Sequence, residues 1–167
     1  MKTVKLHTAV LAICTTIFLL YGCSTTTNPQ KAKIVSADVR ERAEKWLAIY
    51  AERSDWEALL DCYANDVKFE DQRIRLKLEG KLAFADFYDW PNELFRLADP
   101  EKPALVVHEL VVDGTSAVAR GRFLPFYWGE ELFDVSDEFV FWLEFNQQGK
   151  ISIQRDYIPY PKRFIPD

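Results

Sequence analysis

From Ser36 onward, Val39, Ala43, Trp46, Leu47 and Tyr50 recur at three- and four-residue steps, a spacing that lines them along one face of a helix ending near Arg53. Ser54-Asp55-Trp56-Glu57 then shows capping-box spacing, with the Ser54 hydroxyl expected to accept from the backbone three residues ahead and Glu57 to reach back. A second helix should therefore run to about residue 64. The period next drops to two. Residues 67–71 and 74–78 alternate, the latter with Ile74, Leu76 and Leu78 on one face and Arg75 and Lys77 on the other, and they read as a pair of strands. Gly80 closes the pair. Leu82, Phe84, Ala85, Phe87 and Tyr88 resume helical spacing until Trp90-Pro91, where proline breaks or kinks the run. The rest reads as sheet: 105–112, a turn at Asp113-Gly114, 116–126, an acidic loop, 133–145, a turn at Gln147-Gln148-Gly149, and 151–158. Helices followed by a meander of strands predict an α+β domain, with helices packed on one face of an antiparallel sheet.

The amino-terminal pattern is different. Lys2 and Lys5 precede an apolar stretch over residues 8–20 that is too short to span a bilayer comfortably, and Leu20-Tyr21-Gly22-Cys23 follows it. This segment resembles a bacterial lipoprotein signal, which implies cleavage after residue 22 and acylation of Cys23. By the same resemblance, the neutral Ser24 implies an outer-membrane anchor facing the periplasm. Residues 23–36, polar and containing Asn28-Pro29, read as a flexible tether. The domain is expected over 37–160, with a tail at 161–167.

Composition narrows the chemistry. The chain carries 21 Lys and Arg against 26 Asp and Glu, and removing residues 1–22 takes away two lysines and no acid, so nucleic acid is a poor partner. With Cys14 in the signal and Cys23 acylated, Cys62 stands alone and forms no internal disulfide. Its neighbours Leu59, Leu60 and Tyr63 suit a small buried residue better than a reactive nucleophile. His108 is the one imidazole left once His7 is removed, which excludes a multi-histidine metal site and predicts no metal. It reads either as a sheet histidine held by its neighbours or as a catalytic base without a Ser or Cys companion.

A paired-helix start, the stretch Tyr63-Ala64-Asn65-Asp66-Val67-Lys68-Phe69-Glu70-Asp71, Gly80 opening a helix, and the endings Gly149-Lys150-Ile151 and Arg155-Asp156-Tyr157 occur in that order. This arrangement resembles the NTF2-like superfamily, its SnoaL-like branch especially. The resemblance implies a cone, in which a strongly curved antiparallel sheet wraps around the N-terminal helices and leaves an apolar pocket at its mouth. The steroid isomerases of this superfamily carry a similar stretch whose general base falls on Asp71. Their two oxyanion donors fall on Leu47 and Phe141, neither of which can donate, and losing one such donor costs about 10²- to 10³-fold in rate. Steroid isomerisation by that mechanism is therefore not expected, and whether the chain is an enzyme stays open.

If Phe139 and Phe141 face inward, as the resemblance implies, alternation brings Gln154, Asp156 and Ile158 to the inner face, and the same register would bring Arg120 and Arg122 there. Asp71, Asp156, Arg120 and Arg122 are then the candidate catalytic set, and an Arg to Asp bridge is implied because an apolar pocket tolerates charges only in pairs. Epoxide-opening members use an Asp/Arg/Asp set, which this chain resembles only loosely. The same four groups could instead form a buried network that merely closes the cone, or a one-residue slip could leave them solvated. Trp46, Tyr50, Phe69, Phe84, Tyr88, Phe123, Phe139, Phe141 and Ile158 are the candidate ligand-binding residues, with plain core as the other reading for the aromatics. Outward-facing Val140, Trp142, Ile153 and Tyr157 predict an apolar patch, and the resemblance implies that this face pairs two subunits in a homodimer. The expectation is a lipid-anchored SnoaL-like domain of the cell envelope that binds a small apolar molecule without catalysis and without a cofactor. The alternative is a cofactor-independent hydrolase, isomerase or cyclase, with Asp71 or Asp156 as general base and Arg120 or Arg122 stabilising the developing anion.

Overall fold

The first apolar stripe forms α1 (Ser36–Glu52), which buries all five of Val39, Ala43, Trp46, Leu47 and Tyr50. A computed structural model describes residues 36–166 except 93 and 136, and residue 164 in its backbone alone. The signal peptide, Cys23 and the tether up to residue 35 lie outside the described residues. A short α2 (Trp56–Asp61) follows, capped by Asp55, whose carboxylate accepts from the Ala58 backbone at 2.8 Å. The cap is thus Asp55 and not Ser54, and the orphan donor it satisfies is Ala58 N–H rather than that of Glu57, with a full charge at the helix start. The helix stops at Asp61, and Tyr63–Asp71 is β1 rather than a continuation of the helix.

β2 (Leu76–Glu79) pairs antiparallel with β1 and starts two residues later than its alternation suggests, since residues 72–75 make the turn. α3 (Lys81–Tyr88) ends at Asp89 in the left-handed region, just before Trp90-Pro91. Next come β3 (Phe95–Leu97), β4 (Leu105–Asp113), β5 (Ser116–Phe123), β6 (Phe126–Trp128), β7 (Glu131–Phe133), β8 (Phe139–Phe145) and β9 (Ile151–Tyr157). Six strands form the main sheet in the order β2-β1-β9-β8-β5-β4, antiparallel except for the β1–β9 pair. This is the α+β architecture expected, a curved and mostly antiparallel sheet with the helices packed against it.

The segment read as one strand at 116–126 followed by an acidic loop is divided. Pro125 cannot donate to a ladder, and beyond it β6 and β7 form a hairpin across Gly129-Glu130 that joins β3 in a separate three-stranded sheet. The Trp128-Gly129 junction, with Gly129 at φ +61°, was the available sign of that hairpin.

Bending of the main sheet has a local cause. Val107 pairs with Gly121 and Glu109 with Arg120, so His108 is an extra residue bulged from β4. A Cβ on Gly121 would lie 2.1 Å from the Val106 carbonyl oxygen and 2.8 Å from Phe139 Cζ, so only glycine permits this approach.

Candidate functional site

Pairing of β5 with β8 sets Ala119 opposite Phe141 and Gly121 opposite Phe139, and directly opposed residues share a face. The inner face of β5 is therefore Ala117, Ala119, Gly121 and Phe123, all buried, and Arg120 and Arg122 are exposed on the outer face. The inward placement expected for the two arginines is corrected by one residue. The small residues are inside because the bulky rings of Phe139 and Phe141 leave room for nothing larger. Arg120 pairs with Glu138 at 2.6 Å and Glu109 at 3.3 Å, and the same Glu138 holds His108 Nδ1 at 2.7 Å. His108 is thus an outer-surface residue held by a neighbour, well away from the inner face.

Both predicted acids are inside. Asp71 and Asp156 are opposed on the parallel β1 and β9 and are buried, yet among the described residues neither forms an ion pair. The implied Arg to Asp bridge is replaced by neutral donors. Tyr160 donates its hydroxyl to Asp71 Oδ2 at 2.7 Å, and the backbone N–H groups of Arg73 and Ile74 donate to Oδ1 at 2.9 and 3.3 Å. Tyr88 donates to Asp156 Oδ2 at 2.9 Å and Gln154 Nε2 donates to Oδ1 at 2.8 Å. The thread continues behind them: Trp46 Nε1 donates to the Tyr63 hydroxyl at 2.8 Å, which donates to Gln154 Oε1 at 2.6 Å. Burial pushes the Asp156 carboxyl up to about 8, more than its hydrogen bonds to Gln154 and Tyr88 lower it, and nearby Asp71 adds to the rise. Burial likewise holds the Tyr63 and Tyr88 hydroxyls well above the usual phenol range.

In front of this thread opens a cavity of about 370 Å3, a size suited to a small organic molecule. Tyr50, Tyr88, Phe123 and Ile158, predicted as ligand-binding residues, line it. Trp46, Phe69, Phe84, Phe139 and Phe141 do not line it, being fully buried in the packed base of the cone, where Phe139 stacks on Phe141 at 4.3 Å. Their predicted ligand contact is corrected to core, because rings at the narrow end of a cone meet one another before they meet any hollow. The opposite wall was not predicted: it is Phe95, Phe126, Trp128 and Phe133 of the small sheet, with Phe126 stacked between Phe95 at 5.0 Å and Phe133 at 5.2 Å. Tyr160 and Arg53 complete the polar lining.

Arg53 also escaped the sequence reading, because it follows the last residue of α1 and belongs to no periodic face. Its φ of +54° puts a non-glycine residue in the left-handed region, and its guanidinium lies 3.7 Å from the centroid of Phe95 and 4.7 Å from that of Trp90. A position where a helix normally ends on glycine thus carries a cation. Cys62 caps α2, half-buried, with its thiol donating to the Ala58 carbonyl at 3.4 Å, and burial raises its pKa, so it fits the structural role expected of it.

A family profile described as a SnoaL-like domain matches residues 43–153. The chain belongs to the SnoaL-like family. Solved structures share the fold of this SnoaL-like domain at low identity. A candidate ketosteroid isomerase from Kribbella flavida is 24% identical over 77% of this chain and 86% of that one, with a TM-score of 0.52. A candidate SnoaL-like polyketide cyclase from Shewanella putrefaciens is 17% identical over 73% and 80%, with a TM-score of 0.56. An LEH-like epoxide hydrolase of M. tuberculosis is 15% identical over 73% and 83%, with a TM-score of 0.57. No curated protein matches the chain. In this SnoaL-like domain the positions that would carry the steroid isomerases' oxyanion donors, Leu47 and Phe141, are buried apolar core.

Proposed function

We propose that the chain is a lipid-anchored domain of the bacterial envelope that holds a small apolar ligand in the mouth of its cone without catalysis. One observation carries this reading: Tyr88 and Tyr160 line the cavity, whereas the carboxyls behind them, Asp156 and Asp71, do not. A general base must reach the proton it removes, and each carboxyl already spends its inward oxygens on tyrosine, glutamine or backbone donors. The anchor is Cys23, in the outer membrane facing the periplasm. Val140, Trp142, Ile153 and Tyr157, on the outer face of the sheet, are the surface through which two copies pair, with Trp142 and Tyr157 40% and 41% exposed.

Calorimetric titration with 2-naphthamide tests the cavity. Binding is expected in the wild type and is expected to weaken about tenfold or more in Ile74→Trp, which puts an indole into the hollow. Unchanged affinity in that variant would refute the reading. Sedimentation that found only monomer at micromolar concentration would remove the dimer.

The second reading is catalysis with Asp156 or Asp71 as base, favoured by the high proton affinity of Asp156. It loses Arg120 and Arg122 as anion stabilisers, since both point outward. A panel of epoxides, enones and polyketide-like compounds decides between the two. Turnover by the wild type that disappears in Asp71→Asn or Asp156→Asn would establish this second reading.

A further inference from the structure

Two buried side-chain nitrogens have no hydrogen-bond partner among the described residues, Arg53 Nε and Trp90 Nε1. Buried N–H groups left unmatched are rare in folded proteins and cost free energy until something accepts from them. These two belong to neighbouring side chains. Arg53 and Trp90, with Glu52, Phe95 and Leu97, line a hollow of about 200 Å3, and Arg53 lines the main cavity as well.

The guanidinium is held by rings rather than by an acid. Its carbon sits over Phe95 at 3.7 Å, Trp90 at 4.7 Å and Tyr50 at 5.3 Å, and among the described residues no carboxylate lies within ion-pair distance of it. Glu52 flanks the same hollow without pairing with it. Stacking occupies the face of a guanidinium and leaves its in-plane N–H groups for acceptors. Burial lowers the Arg53 pKa, and the groups that act against this are the tyrosines 50 and 88.

We propose that the mouth of the cone takes an apolar molecule bearing one carboxylate-sized anion, with the anion accepting from the Arg53 guanidinium and the Trp90 indole N–H and the apolar body lying among the rings of the main cavity. This deepens the ligand-binding reading above and rests on it. The aromatic wall supplies affinity for the body and excludes water, which strengthens a charge-assisted hydrogen bond. Arg53 is then the residue that decides between an acid and its neutral analogue.

The test compares 2-naphthoate with its neutral isostere 2-naphthamide by calorimetric titration of the full chain. The carboxylate is expected to bind about tenfold or more tightly than the amide, because hydrogen bonds to charged groups are the strong ones. Arg53→Gln should erase that advantage, so that the two compounds bind that variant within about twofold of each other, whereas Arg53→Lys should retain part of it. Trp90→Phe, which removes one N–H and keeps the ring packing, should shrink the advantage of the carboxylate over the amide by about threefold or more. Equal affinity for the two compounds in the wild type would overturn the anion site and leave the cavity reading standing, as would an advantage for the carboxylate that survives Arg53→Gln. Failure of both compounds to bind would overturn both readings.

Discussion

The closed base of the cone and its open mouth are built from the same kinds of residue and behave differently. At the base, Trp46, Phe84, Phe139 and Phe141 are fully buried, and the polar groups threaded among them satisfy one another in series from Trp46 through Tyr63 and Gln154 to Asp156. At the mouth, rings such as Phe95, Phe126 and Trp128 line a hollow, and Arg53 and Trp90 keep unmatched N–H groups. Aromatic character therefore does not separate core from site. What separates them is the distance between opposing walls, and whether every buried donor has found an acceptor.

Truncation at the base should have the largest effect. Phe141→Ala at the base should destabilise the protein by about 3–5 kcal/mol in denaturant titration, because the cavity it leaves cannot collapse. A loss below about 1 kcal/mol would mean that the base is loosely packed.

The pH dependence of stability tests the thread next. The folded pKa of Asp156, near 8, lies above the ordinary carboxyl value that the unfolded chain presents, so the folded state binds the extra proton. Stability from this group is therefore present below about pH 4 and lost progressively as pH rises towards 8, by at most about 1.4 kcal/mol per pH unit. Asp156→Asn, which has no proton to lose, should flatten that slope and be the more stable form at pH 8. Thermal melts of both proteins between pH 4 and 8 check this, and parallel curves would contradict it.

A smaller effect is expected from Tyr63→Phe, which strands Trp46 Nε1 and Gln154 Oε1 together and should cost about 1–3 kcal/mol in chemical unfolding. The smallest belongs to the mouth. Trp128→Ala, at a half-exposed ring, should change stability by about 0.5 kcal/mol or less while weakening 2-naphthamide severalfold. If it destabilised the protein as much as Phe141→Ala, the mouth would be core in its own right.

Much of this architecture was legible along the chain. The stripe on α1 and the Asp113-Gly114 hairpin follow from local spacing, and the inward placing of Phe139, Phe141, Gln154 and Asp156 follows from alternation once the family resemblance sets which side faces in. The arginines of β5 face out and not in because parity within one strand says nothing about which parity is inside, and the pairing with β8 that decides it is a long-range contact. Glycine and two alanines at alternate positions were the sign, since facing phenylalanines need small partners. The aromatic wall of the mouth was missed because β3, β6 and β7 are three residues each, too short to show a period.

Alternating and helical spacing alone determined that helices pack on one face of an antiparallel sheet around one hydrophobic centre, because burial selects faces residue by residue. Only the tertiary structure decided that tyrosines, and not arginines, satisfy Asp71 and Asp156, and that Arg53 is left over a ring at the rim. Those outcomes depend on which side chains arrive in the same space from distant segments, and hydrogen-bond partners are chosen there by geometry that no spacing along the chain encodes.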